Sequence, residues 1–251
     1  MNQQTEPARM PITPPSVETK GIWQIMWEVF ASPADAFDSF KRKPTIITPL
    51  VVVMVLGAVI GVFMAPYSSQ VQIDLLRGSP VIPDQVFAQM EADAANPNLT
   101  GAALGGGFAL ALISAIAALL AMFLGKVIFG GDAKFMAIWG VSLLGTLIEM
   151  LGGLLRLPMV FAKESIYVSY GPAALLPGKD FTSIIYSLFY YCDVFWIWSV
   201  IVTGIGYAAI FGISRAKGYT TAASIAFLAV MVMIAASAIG LGFAGVDVTF
   251  F

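Results

Sequence analysis

The sequence contains no histidine at all. That excludes imidazole as a general base, serine–histidine triads, haem ligation through imidazole and most zinc sites. Cysteine is nearly absent too: Cys192 is the one thiol, so no internal disulfide can form, and without histidine nothing is at hand to activate it as a nucleophile. Charge is scarce, with 11% of residues Asp, Glu, Lys or Arg where soluble domains carry about 25%. The formal net charge of −2 gives no basic face, which argues against nucleic acid as a partner. The first twenty residues, "MNQQTEPARMPITPPSVETK", have no apolar core, so no signal peptide is expected; four prolines among polar neighbours suggest a disordered cytosolic tail over 1–20.

What is abundant is apolar. Hydrophobic residues make up 59% of the chain, and the mean hydropathy is +0.86. Lipid offers the backbone no hydrogen-bond partner, so a span must be a helix of roughly 20 mostly apolar residues. Five stretches meet that requirement, at about 45–66, 103–125, 135–156, 194–213 and 221–243. The predicted fold is therefore all-α, a polytopic bundle of five transmembrane helices over 44–245, preceded by an amphipathic segment at 21–43. Nine of the thirteen lysines and arginines fall in the N-terminal region and in the turns at 126–134 and 214–220. The positive-inside rule then predicts a cytoplasmic N-terminus and an external C-terminus. Short turns tie the second span to the third and the fourth to the fifth as antiparallel hairpins. The long outer loop at 67–100 holds a short helix predicted to start at Pro83 and Asp84.

Residues 21–43, "GIWQIMWEVFASPADAFDSFKRK", do not span. Trp23, Met26, Trp27 and Phe30 recur at helical spacing, with Gln24 and Glu28 on another face. Ser32 and Pro33 start a second short helix, and the segment ends in Lys41, Arg42 and Lys43. Tryptophans followed by positive charge suit a helix in the inner interface against anionic lipid. Two readings follow: a membrane anchor, or a dock for a partner at Trp23, Trp27, Phe30 and the basic triplet.

Two stretches, "YYCDVFWIWSVIVTGIGYAAIFGISRAKGYTTA" and "WEVFASPADAF", resemble the Yip (Ypt-interacting protein) domain family, in particular its bacterial branch. The residues that carry the likeness are Asp193, Phe195, Trp198, Gly204, Ser214 and Ala216, with Trp27, Phe30, Pro33 and Phe37 at the front. The resemblance spans most of 21–243. It implies five spans, a cytosolic N-terminus and residence in a bacterial inner membrane, and it transfers no catalytic residue. Eukaryotic members are associated with Rab-type GTPases and early secretory membranes; the short tail here lacks a large cytosolic domain for such a partner.

Glu149 is the acid within a span. Ser142, Gly145, Gly152 and Gly153 share its helical face, and small residues let helices approach closely, so Glu149 is expected in a packed helix interface. Similar small-residue stripes occur at Gly107–Ala111–Ala115, Ala117–Ala121–Gly125 and Ala236–Gly240–Ala244. At ~1.5 Å per residue it lies about 21 Å past Phe135, in the outer third of the membrane. Arg156 lies about 10 Å further along the axis, too far for a direct pair. Asp193, Tyr190 and Tyr191 enter the fourth span at a similar level. One reading makes Glu149 and Asp193 a proton or cation site in an outward-opening cavity; the other makes a neutral Glu149 a structural hydrogen-bonding group. No catalytic constellation, cofactor or metal site is expected. The leading expectation is a non-enzymatic membrane-organising or accessory protein that contacts lipids and other membrane proteins or its own copies; the alternative is a small proton, cation or solute carrier.

Overall fold

The computed structural model describes residues 20–176 and 181–249. Most of the predicted tail at 1–20, including Arg9, and Lys179 between the third and fourth spans lie outside these. Five of the helices are long and apolar enough to cross a membrane: α3 (Ile47–Leu76), α5 (Leu99–Met122, continued by a π-helical turn at Phe123–Ile128), α6 (Phe135–Lys163), α8 (Val194–Phe211) and α9 (Arg215–Phe243). Four shorter α-helices, α1 (Ile22–Ala31), α2 (Pro33–Arg42), α4 (Asp84–Ala95) and α7 (Ile184–Tyr191), and a 3-10 turn at Pro172–Leu175 accompany them among the described residues. No strand occurs among them. The chain is an all-α polytopic bundle.

The helix in the middle is α6. Inside the bundle, 61% of its most apolar stretch is buried, against 17% for α3 and 22% for α5 and α9. The outward faces of those three helices carry rows of exposed Val, Leu, Ile and Phe, such as Val51, Val55 and Val59 on α3 and Leu112, Ile116 and Leu119 on α5. Such rows belong in acyl chains, where apolar exposure carries no penalty. Close approach of α3 to α5 depends on glycine: Gly57 and Gly61 meet Gly106 backbone to backbone, and Gly107 sits on Met54. The predicted small-residue stripe thus works on α5, although Gly106 rather than Gly107 is its centre. On α9 the stripe is not used within the chain, since Ala236 and Gly240 are exposed.

Several boundaries differ from those expected. α3 continues through Pro66 to Leu76, and α6 continues through Pro158 to Lys163. A helical proline forfeits one hydrogen bond to the carbonyl four residues back, here Val62 and Leu154. The turn between α8 and α9 is shorter than 214–220. Gly212 closes α8 in the left-handed conformation at φ +67°, and Ser214 caps α9 by accepting from the Lys217 amide. Asn98 likewise caps α5 through the Gly101 amide, and Pro83 and Asp84 open α4 as expected.

The segment before the first span is helical but divided and docked. Ser32 stands between α1 and α2 without donating or accepting a side-chain cap. α2 runs alongside α8: Phe37 packs on Gly206 and Val141 on α6, Phe40 on Gly140, and Lys41 Nζ donates to the Ala209 carbonyl at 2.7 Å. α1 returns beside it and brings the Phe30 ring to 6.0 Å from Trp198. From Ala209 back to Trp198 the hairpin follows about 16 Å of α8. The face expected to seek lipid is therefore split. Ile25, Met26 and Val29 are buried in the protein, whereas Trp23 and Trp27 are 67% and 75% exposed.

Candidate functional site: a polar cavity within the bundle

Five helices, α5 to α9, line a cavity of about 410 Å³. α6, the end of α7 and α8 supply most of its polar groups, and α5 and α9, Ser114 apart, its apolar side. The polar groups form a ladder between α6 and α8. At its lower rung Ser142 Oγ and the Tyr207 hydroxyl lie 2.8 Å apart. Next, Ser199 Oγ donates to Glu149 Oε1 at 2.7 Å, with the Trp196 carbonyl also within reach at 2.9 Å. A hydroxyl has one proton. The rung is thus complete either with an ionised Glu149 accepting from Ser199 or with a neutral one donating to it while Ser199 donates to Trp196.

At the top rung Arg156 Nη2 donates to Asp193 Oδ2 at 2.6 Å, and Nη1 reaches the Tyr190 hydroxyl at 3.3 Å. Both members of the ion pair are largely enclosed, with side chains 18% and 10% exposed. Asp193 does a second job there. Its Oδ1 accepts from the Trp196 amide at 2.9 Å and so caps α8, satisfying one of the amides a helix start leaves free. Tyr190 donates to the Ile166 carbonyl at 3.0 Å. The guanidinium also lies 5.1 Å from the Tyr190 ring centre and 5.8 Å from that of Tyr170. Burial pushes the Tyr190 phenol above its usual range, partly opposed by Arg156. Burial and then Asp193 push the Cys192 thiol up as well, away from thiolate character.

The four residues expected to form an intramembrane polar site, Glu149, Asp193, Tyr190 and Tyr191, all line this one cavity. Two expectations are revised. The close approach expected beside Glu149 is present, with Thr203 over Gly145, Phe195 over Gly152 and Ile60 over Gly153, but Glu149 itself is exposed at the cavity rather than packed between helices. Arg156, set aside as too far from Glu149 for a direct pair, is instead the partner of Asp193. Helical spacing showed only its face, since seven residues is two turns and puts Arg156 above Glu149. Ser199 and Tyr207 were the other residues missed as members of the ladder.

At the opposite end the basic triplet separates. Lys41 is held on α8, while Arg42 and Lys43 are exposed. Trp23 and Trp27 face outward and Phe30 inward to Trp198. Among the described residues no group of three metal-ligating side chains comes together.

Five apolar helices around a buried polar ladder define a polytopic integral membrane protein. The Yip1 domain family model matches residues 27–238, so the chain belongs to the Yip1 domain family. It is also similar to "Membrane protein YknW" of Bacillus subtilis (strain 168), 26% identical over 206 residues that cover 78% of this chain and 83% of that protein. No solved structure matches.

Proposed function

We propose that this Yip-family protein is a non-enzymatic accessory subunit of the bacterial inner membrane, which holds another integral membrane protein through the outer face of its α1–α2 hairpin. The observation that carries this reading is the composition of that face at that position. One side of the hairpin is locked onto α8. The other side exposes Trp23, Trp27, Gln24, Asp35 and Asp38 alongside α8, where acyl chains satisfy none of the polar groups. Tryptophan and carboxylates together suit a protein partner with both an apolar and a basic contact. The unused small-residue face of α9, at Ala236 and Gly240, offers a second close approach for a helix within the bilayer.

A photo-crosslinking residue at position 27 in native membranes tests this. A single discrete adduct to one membrane protein, lost on Asp35→Lys with Asp38→Lys, supports the reading. Adducts to lipid alone overturn it. The orientation that goes with it, N-terminus inside, predicts that Lys217→Cys is labelled by impermeant reagents only after the membrane is opened.

The carrier reading needs Glu149 and Asp193 free together in one cavity. Both line it, yet Asp193 is committed to Arg156 and to the start of α8, which leaves one acid for a cycle. Proteoliposomes that hold a pH gradient unchanged with and without the protein favour the accessory role; a gradient collapsed by wild type and held by Glu149→Gln favours the carrier.

A further inference from the structure

The cavity itself has features that neither a scaffold nor a simple packing defect requires. Its volume of about 410 Å³ falls in the range of ligand pockets, about 300–1,000 Å³. Its lining is two-sided. Leu110, Ile113 and Ala117 from α5 face Ile225, Ala226 and Met233 from α9, whereas every charged group comes from α6 or from the start of α8. α5 and α9 meet over only a short stretch. Ile113, Ala229 and Met233, which line the cavity, are all exposed, so the apolar side opens laterally between these two helices. A ligand entering there comes from the hydrocarbon and must bring an apolar chain with it.

The charges fix the other half of the ligand. Arg156 and Asp193 neutralise each other at 2.6 Å. Glu149 has only the Ser199 hydroxyl as a polar side-chain partner and is open to the cavity. Among the described lining residues it is the one ionisable carboxyl or guanidinium group without a partner of opposite charge. An anionic head group would meet this carboxylate with Arg156 already engaged, whereas an ammonium would complete the site. Tyr191, Phe195 and Trp196 also line the cavity, and aromatic rings attract cations. Glu149 also lies about 10 Å below Arg156, so the head must be small enough to be carried into the bundle.

We propose that this cavity binds a single-chain amphiphile with a small ammonium head group, the ammonium on Glu149 and the chain between α5 and α9. The site does not depend on the hairpin or on any partner held there. Native mass spectrometry of the full chain released from maltoside micelles tests it, with dodecylamine, dodecanol and dodecanoate as matched probes. Wild type is expected to retain one dodecylamine at least tenfold better than either of the others. Glu149→Gln, which keeps a hydrogen bond to Ser199, should lose that preference, and Ala226→Phe should lose retention by filling the cavity. Equal retention of the amine and the alcohol by wild type, or preference for the acid, overturns the proposal, and so does an undiminished amine preference in a folded Glu149→Gln variant. Since the comparison of three probes needs wild type alone, failure of a variant to fold leaves the test standing.

Discussion

The two ends of the bundle are built on opposite plans. At the end that carries Lys41–Lys43, aromatic rings fill the hollows that glycines leave: Phe40 on Gly140, Phe37 on Gly206 and Phe211 on Gly125. Toward the other end α6 and α8 are held by a ladder of hydrogen bonds and one ion pair, and α5 and α9 stand apart from it around an open cavity. Both plans use small residues on α6, but to different ends. Gly140 admits a ring from the hairpin and closes the space. Gly145 and Gly152 admit Thr203 and Phe195, which brings α8 near enough for its hydroxyls to reach Glu149. Shape complementarity holds the first region, and polar satisfaction holds the second.

Breaking the polar region at its top rung should have the largest effect. Asp193→Ala strips the Arg156 guanidinium of its partner and α8 of its cap. Removing one member of an enclosed pair costs about 3–5 kcal/mol, visible as a large drop in thermal unfolding temperature in detergent. Asp193→Ala with Arg156→Met should recover most of that loss, because the stranded charge goes too. The packed region is attacked by Gly140→Val, whose side chain overlaps the Phe40 ring. Overpacking of this sort costs about 1–3 kcal/mol, and Phe40→Ala in the same background should restore part of it. If Gly140→Val proved harmless, the hairpin would not be seated as described.

A smaller effect is expected from alkali. Burial, with Tyr190 and Tyr167 adding to it, pushes the Tyr186 phenol up to about 12. Its folded value lies above the unfolded one near 10, so the folded state holds the proton more tightly and stability falls as pH rises from about 10 to 12. Tyr186→Phe should flatten unfolding temperature against pH across that window; an unchanged slope would move the alkaline sensitivity elsewhere. The smallest change in stability is expected for Glu149→Gln, within about 1 kcal/mol, since the amide still meets Ser199. A loss as large as that of Asp193→Ala would make Glu149 a structural member of the bundle rather than an open group.

Much of the architecture was legible in the sequence because lipid is a strict solvent. A span must satisfy its own backbone, so five apolar runs mean five helices, and the family likeness in the Asp193–Ala216 region pointed to the same number. Helix ends were harder to read. Past the hydrocarbon edge the residues of α3 from Pro66 to Leu76 turn polar, and hydropathy no longer distinguishes helix from loop. The site was legible in its members but not in its pairings. Glu149, Asp193, Tyr190 and Tyr191 could be named from depth alone. That Arg156 reaches Asp193, 37 residues on, depends on how α7 returns the chain to the head of α8, and no local pattern reports that. The hairpin misled for a related reason. Ile22, Trp23, Ile25, Met26, Trp27, Val29 and Phe30 surround α1 with apolar side chains, so spacing alone cannot say which of them face protein.

The seating of the hairpin also sets an order of events during synthesis. Lys41 and the Ala209 carbonyl it contacts are 168 residues apart. At about 5–20 residues per second, the ribosome takes on the order of ten seconds or more to deliver the second after the first. Phe40 can meet Gly140 once α6 is made, but throughout that interval Phe37 has no hollow at Gly206 to enter, and the earliest part of the polypeptide waits for nearly the last. A nascent chain halted before α8 would leave the Phe37 ring accessible to chaperones, and completion of α8 would be the moment at which it disappears from view.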